Sequence, residues 1–149
     1  MKCLVFSIRE FRFGIPLEDI ERIVESKGKV FKLPLVPEFI SGITNYQGRI
    51  ITVIDLGLFF NSNTKTGSDL IVISNRLKHL GYTISRLEGF INVDENELED
   101  VEKFSIDAEK KEYIKCIAKA DDNRIISVID LNRVERFFQN PKNWSYYEA

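Results

Sequence analysis

The chain has 149 residues, of which 44% are apolar and 30% charged, and a formal net charge of −2. That length buries about 68 to 70% of the unfolded surface without staples, the composition is that of a globular protein and not of a disordered one, and the charge offers no basic field for phosphate-dominated nucleic-acid binding. Cys3 and Cys116 are too few for a disulfide scaffold and sit in no CxxC or metal spacing, so both are expected as buried thiols in a reducing cytoplasm.

In chain order, residues 4–8 and 11–15 are aromatic and β-branched runs around Arg9 and Glu10, which predicts a first hairpin. Arg9 and Glu10 also cut the apolar opening short of a signal peptide, and no run is long enough to span a bilayer. Pro16 ends the pairing. Leu17, Ile20 and Ile23 are spaced for one or two helical turns before a strand at Ile23 and Val24. Residues 30–36 read as extended, and Pro34 and Pro37 keep them from the centre of a sheet.

Residues 40–56, ISGITNYQGRIITVIDL, are the part of the chain that occurs twice. Arg49-Ile-Ile-Thr-Val-Ile-Asp-Leu56 returns 75 positions on as Arg124-Ile-Ile-Ser-Val-Ile-Asp-Leu131. The near-continuous β-branched run of Ile50, Ile51, Val53 and Ile54 suits a strand covered on both faces. In each copy a hairpin turn, Asn45-Tyr46-Gln47-Gly48 or Asp121-Asp122-Asn123, precedes that run and follows a first strand. Each ends in an Asp, 55 or 130, placed to cap a helical turn. Between the copies, residues 61–68 are a polar linker, residues 70–74 and 80–84 form a hairpin around His79, and residues 89–93 give a further strand. Residues 94–112 hold nine acidic side chains and three lysines and read as a solvated loop, residues 131–138 read as a helix, and Trp144, Tyr146 and Tyr147 belong to a tail expected to pack back on the body. Short strands without βαβ spacing, together with the duplication, predict an all-β fold of two small antiparallel barrels built alike.

No catalytic centre can be assembled. His79 is the sole histidine and lies in a turn, the acidic residues form a run and not a spaced pair, and no phosphate-binding glycine loop is present. No cofactor or metal is implied. The hairpin tip at residues 44–49, with a ring, amides and a guanidinium, suits protein contact, but from the residues alone the favoured reading is that Tyr46 covers its own barrel and Gln47 is solvated. A ligand- or oligonucleotide-binding double barrel could stack bases on Phe11, Phe13, Tyr46 and Tyr82, but the slightly acidic chain speaks against it.

FRFGIPLEDIERIVE and LPLVPEFISGITNYQGRIITVIDL resemble the first lobe of the CheW-type chemotaxis coupling proteins, and LGYTISRLEGFINV and YIKCIAKADDNRIISVIDL resemble the second. The resemblance covers roughly residues 4–138. It implies one domain of two five-stranded SH3-like β-barrels around a shared hydrophobic core, mainly β with short helices. The first lobe would span about residues 1–60 and the second about 69–138, with the linker at 61–68 between them and a tail at 139–149. It implies a cytoplasmic adaptor that is not an enzyme and is a monomer when isolated, reaching the membrane only through partners. Those partners are the regulatory domain of a CheA-type histidine kinase and the cytoplasmic tip of chemoreceptors, the methyl-accepting chemotaxis proteins. Receptor contact falls by this resemblance near Ile20, Arg22, Asn45 and Gln47, with Ile84 from the second lobe, and kinase contact on Leu17 and Ile20.

Gln47 stands where the family's Asn-x-Arg-Gly motif has Arg, Arg22 where many members have an acid, Ser85 for Asp, Cys116 for Gly and Thr52 for Pro. Arg49, beside the altered position, is a candidate displaced positive charge for the receptor. These departures leave open a module of another sensory or motility system, or an inhibitor of the kinase.

Overall fold

The computed structural model describes residues 1–60, 69–84, 87–93, 110–120 and 124–144. The expected linker, Ser85, the turn at 121–123, most of the acidic run and the two tail tyrosines lie outside the described residues. Strands β1 (Lys2–Ile8) and β2 (Phe11–Pro16) form the first hairpin, and a 3-10 turn (Leu17–Asp19) leads to β3 (Ile20–Glu25). Hairpin β4 (Ile40–Tyr46) and β5 (Arg49–Asp55) runs into the short helix α1 (Leu56–Phe60). Strands β6 (Leu70–Ser74), β7 (Leu80–Ile84) and β8 (Leu87–Asn92) follow. Hairpin β9 (Ile114–Lys119) and β10 (Ile125–Ile129) then leads to helix α2 (Leu131–Gln139). The strand at Ile20 opens three residues earlier than the spacing of Leu17, Ile20 and Ile23 suggests, because one 3-10 turn is enough to reverse the chain. Residues 30–36 are less regular than expected, with a single bridge, Phe31 to Ile43.

The strands form two five-stranded sheets of the SH3-like kind, β8-β1-β2-β10-β9 and β3-β6-β7-β5-β4. Sheet membership departs from the expected division at residues 61–68. The N-terminal hairpin β1–β2 completes the sheet of β8, β9 and β10, and β6–β7 completes the sheet of β3, β4 and β5. The cause is a pair of parallel contacts: β10 lies beside β2 with Val128 opposite Gly14, and β5 beside β7 with Val53 opposite Gly81. The two sheets are thus related element by element, and the repeated segments are the strands that accept the completing hairpins.

Alternation along the strands explains their continuous apolar runs. Leu4, Phe6 and Ile8 of β1, Val72 of β6 and Ile54 of β5 point into one large core shared by both sheets and both helices. The intervening Cys3 and Val5 join Ile126 and Val128 in the private interior of one sheet, and Ile51 and Val53 join Ile71 and Ile73 in that of the other. A strand with a period of two that is buried on both faces has no polar position to show. Each fully buried aliphatic side chain contributes about 1.5 to 3 kcal/mol over leaving it in water. Ile50 and its repeat partner Ile125 are the exceptions: both stand exposed at the start of their strands.

The caps behave as the repeated Asp suggests. Asp55 accepts from the backbone N–H of Leu58 at 3.0 Å, and Asp130 from that of Arg133 at 3.2 Å. Cys3 and Cys116 are both buried free thiols, and burial together with Cys116 pushes Cys3 up to about 11. Trp144 packs against the shared core and its indole N–H donates to the carbonyl of Phe138 at 2.8 Å.

Candidate functional groove

The β4–β5 hairpin closes through Gln47 and Gly48, with φ of 51° and 80°. Two successive positive φ values make a two-residue turn whose twist matches the strands it joins. Asn45 locks it by accepting the N–H of Gly48 on its side-chain oxygen at 2.9 Å. The turn holds Tyr46 and Arg49 opposite each other at the last pair of the ladder.

Across from this tip lies the start of β3. A β-bulge between Ile20 and Arg22 inserts Glu21 as an extra residue against β6, and the bulge allows neighbours that would otherwise face opposite ways to reach one side. Glu21, Arg22, Tyr46, Gln47 and Arg49 together line an open groove of about 330 Å³. Arg49 donates to Glu21, and its guanidinium also sits 5.6 Å from the centre of the Tyr46 ring. Lys78, from the β6–β7 turn, lies 3.7 Å from the other oxygen of Glu21. The hydrogen bond from Arg49 is the main reason that the Glu21 carboxyl is held below its ordinary value.

The structure therefore brings Arg22, Gln47 and Arg49 to one groove, and gives Asn45 the task of holding its rim. Arg49 is not a spare positive charge, as its position beside Gln47 suggested, because Glu21 neutralises it. Ile20 and Leu17 lie nearby but half-buried against the shared core. Ile84 departs from its expected place in the groove: it is completely buried. Its strand β7 runs between β5 and β6, and all five of its residues are buried, so no side chain there can meet a partner directly. Tyr82 on the same strand is completely buried and Phe13 packs on the core, so neither can stack a base.

Glu21 and Lys78 were missed. Glu21 lies 28 residues from its partner Arg49 in sequence, with Lys78 more distant still, and neither the bulge nor the β6–β7 turn leaves a local pattern that announces the meeting. A second, larger cavity of about 510 Å³ lies under residues 26–41 and reaches Leu58 and Thr83. Among the described residues no group of three or more His, Cys, Asp or Glu side chains could hold a metal, and no helix is long and apolar enough to cross a membrane.

Comparison with known proteins agrees with this geometry over the whole fold. The chemotaxis protein CheW of Thermotoga maritima is 28% identical over 133 residues, covering 88% of this chain and 85% of that protein. The chemotaxis protein CheW of Bacillus subtilis is 27% identical, covering 89% and 85%. The crystal structure of the scaffolding protein TtCheW from Thermoanaerobacter tengcongensis superposes with a TM-score of 0.75 at 34% identity, over 87% of this chain and 84% of that one. A family model described as the CheW-like domain matches residues 2–137, and with two paired sheets, a shared core and duplicated capped hairpins that account for the match, the chain belongs to the CheW-like domain family.

Proposed function

We propose that the chain is a chemotaxis coupling adaptor, a non-catalytic cytoplasmic scaffold that joins chemoreceptors to a CheA-type histidine kinase. The observation that carries this reading is the length of the match: the family model spans both sheets, not one motif of one sheet. The groove formed by Arg22, Gln47 and Arg49 with the rim residue Asn45 is the surface for the receptor tip. Leu17 and the edge of β3 at Ile20 are the surface for the regulatory domain of the kinase.

An adaptor of this kind works by differential contact. It alters kinase output when a receptor changes conformation only if it binds the two receptor states unequally.

The test is a calorimetric titration with the purified regulatory domain of a CheA-type kinase from the same cell, followed by a receptor-tip fragment. Saturable binding to both is expected. Binding to the kinase alone would favour a member that occupies the kinase without coupling it, a reading to which Gln47 and Arg22 in the groove lend support. Binding to neither would sink the adaptor reading.

A further inference from the structure

We propose that the groove selects its partner through a carboxylate, and that Arg22 is the residue that determines this specificity. The inference rests on the adaptor reading for the identity of the partner, but not for the chemistry of the groove. Three cations, Arg22, Arg49 and Lys78, stand in or beside the groove against one anion, Glu21. The chain as a whole is at −2, so the local field has the opposite sign to the molecule. Glu21 is spent on Arg49 and Lys78 together. Arg22 lines the groove and is exposed, and its side chain makes no hydrogen bond or ion pair among the described residues. An exposed guanidinium with all its donors open is the group best fitted to hold a carboxylate by two parallel hydrogen bonds.

The neighbours narrow the occupant further. The Gln47 amide supplies a neutral donor or acceptor at the tip, and the Tyr46 ring, covered on one side by Arg49, offers an apolar wall. The surface fits a protein segment that presents a Glu or Asp next to an apolar side chain. It fits a nucleic acid poorly, because one groove with two net positive charges is not a stripe that tracks a phosphate backbone. Charge of this kind acts mainly on encounter rate and on rejection of wrong partners. It therefore predicts a chain that discriminates among receptors by the sign of one contact residue.

Two probes separate this inference from the adaptor reading. The full chain is titrated with an octapeptide of alternating Glu and Leu, and with its Lys and Leu counterpart, while the amide signals of residues 21–22 and 46–49 are followed by NMR. The receptor-tip fragment is titrated in parallel. The acidic peptide is expected to shift those amides with an affinity that falls as salt is raised, and Arg22→Glu to weaken it by about tenfold or more, with Arg22→Lys in between. The same order is expected for the receptor fragment, with unchanged melting temperatures because Arg22 is exposed and unpaired among the described residues. If the fragment binds and Arg22→Glu leaves its affinity unchanged, the inference fails and the adaptor reading stands. If the acidic peptide binds at the groove and the fragment does not, the receptor assignment fails and the chemistry stands. Equal binding of both peptides, tighter binding of the lysine peptide, or no binding of either would overturn the inference.

Discussion

Single residues carry more constraint than their exposure suggests. Gly42 is the plainest case, with φ of +145° and the carbonyl oxygen of Phe31 only 2.1 Å from where a Cβ would be. The approach is that close because Phe31 and Ile43 exchange two backbone hydrogen bonds, of 2.8 and 2.9 Å, beside it. Gly42→Ala is expected to destabilise by about 2 to 4 kcal/mol, the sum of backbone strain and a clash that no side-chain rotation relieves. A fall in the denaturant midpoint at unchanged slope measures it, and an unaltered midpoint would refute the account. In the second hairpin the corresponding place, opposite Val128, is taken by Cys116, which has no positive φ. The absence of a glycine there is a difference in local crossing and not a defect. The sequence made Arg22, Gln47 and Arg49 legible as neighbours because a turn and a family motif point to them. It left Ile84 misplaced, since a short apolar run reads the same at an edge as at the centre of a sheet.

At the scale of elements, hairpins and caps were legible and the ties between distant elements were not. Helix α2 is fastened to the other sheet by Glu135, which is buried. Ser74 donates to both of its oxygens at 3.0 and 2.9 Å, Tyr82 to one at 2.8 Å, and the backbone of Leu77 to the other at 3.0 Å. The Ser74 hydroxyl is oriented by accepting the N–H of Arg76 at 3.1 Å, which turns its proton toward the carboxylate. Burial raises the Glu135 carboxyl above its ordinary value of 4.5, against the pull of these donors. A group whose folded value is raised contributes stability that is fully present below the unfolded value and is lost as pH rises through the folded one. The stability of the protein relative to its Glu135→Gln variant is therefore expected to decline as pH rises from about 4.5, and to level off once the folded carboxyl has ionised. Chemical denaturation of both chains across that window reads the difference, and a constant gap would exclude it. Glu21, held low by Arg49, acts in the opposite sense and loses its contribution on acidification; it is common to both chains and cancels. No periodicity in residues 131–139 singles out Glu135, because a helix face bearing one acid looks solvated until the serine and tyrosine that receive it are known.

For the molecule as a whole, two similar sheets around a common core were readable from the duplication, and which strands fill which sheet was not. The repeat marks β4–β5 and β9–β10 as equivalent, but the parallel contacts that recruit β7 and β2 are set by tertiary packing. One sheet draws on residues 2–16 and 87–129, the other on 20–55 and 70–84. Cleaving the chain between residues 61 and 68 should thus yield halves that each leave both sheets unfinished. Neither fragment alone is expected to unfold cooperatively by circular dichroism, and mixing them is expected to restore a single transition. A cooperative melt from either half in isolation would contradict the sheet assignment.

The position of the β1–β2 hairpin also sets an order of events while the chain is being made. The sheet of β3 to β7 is complete once residue 84 has left the ribosome, whereas the hairpin at residues 2–16 emerges before that sheet and must wait for β10 at residues 125–129 to complete its own. Its Cys3 and Val5, which pack against Ile126 and Val128, lack those neighbours until then. At about 5 to 20 residues per second that delay lasts several seconds or more, and for that time the edge of β2 that will receive β10 stands open to wrong pairing.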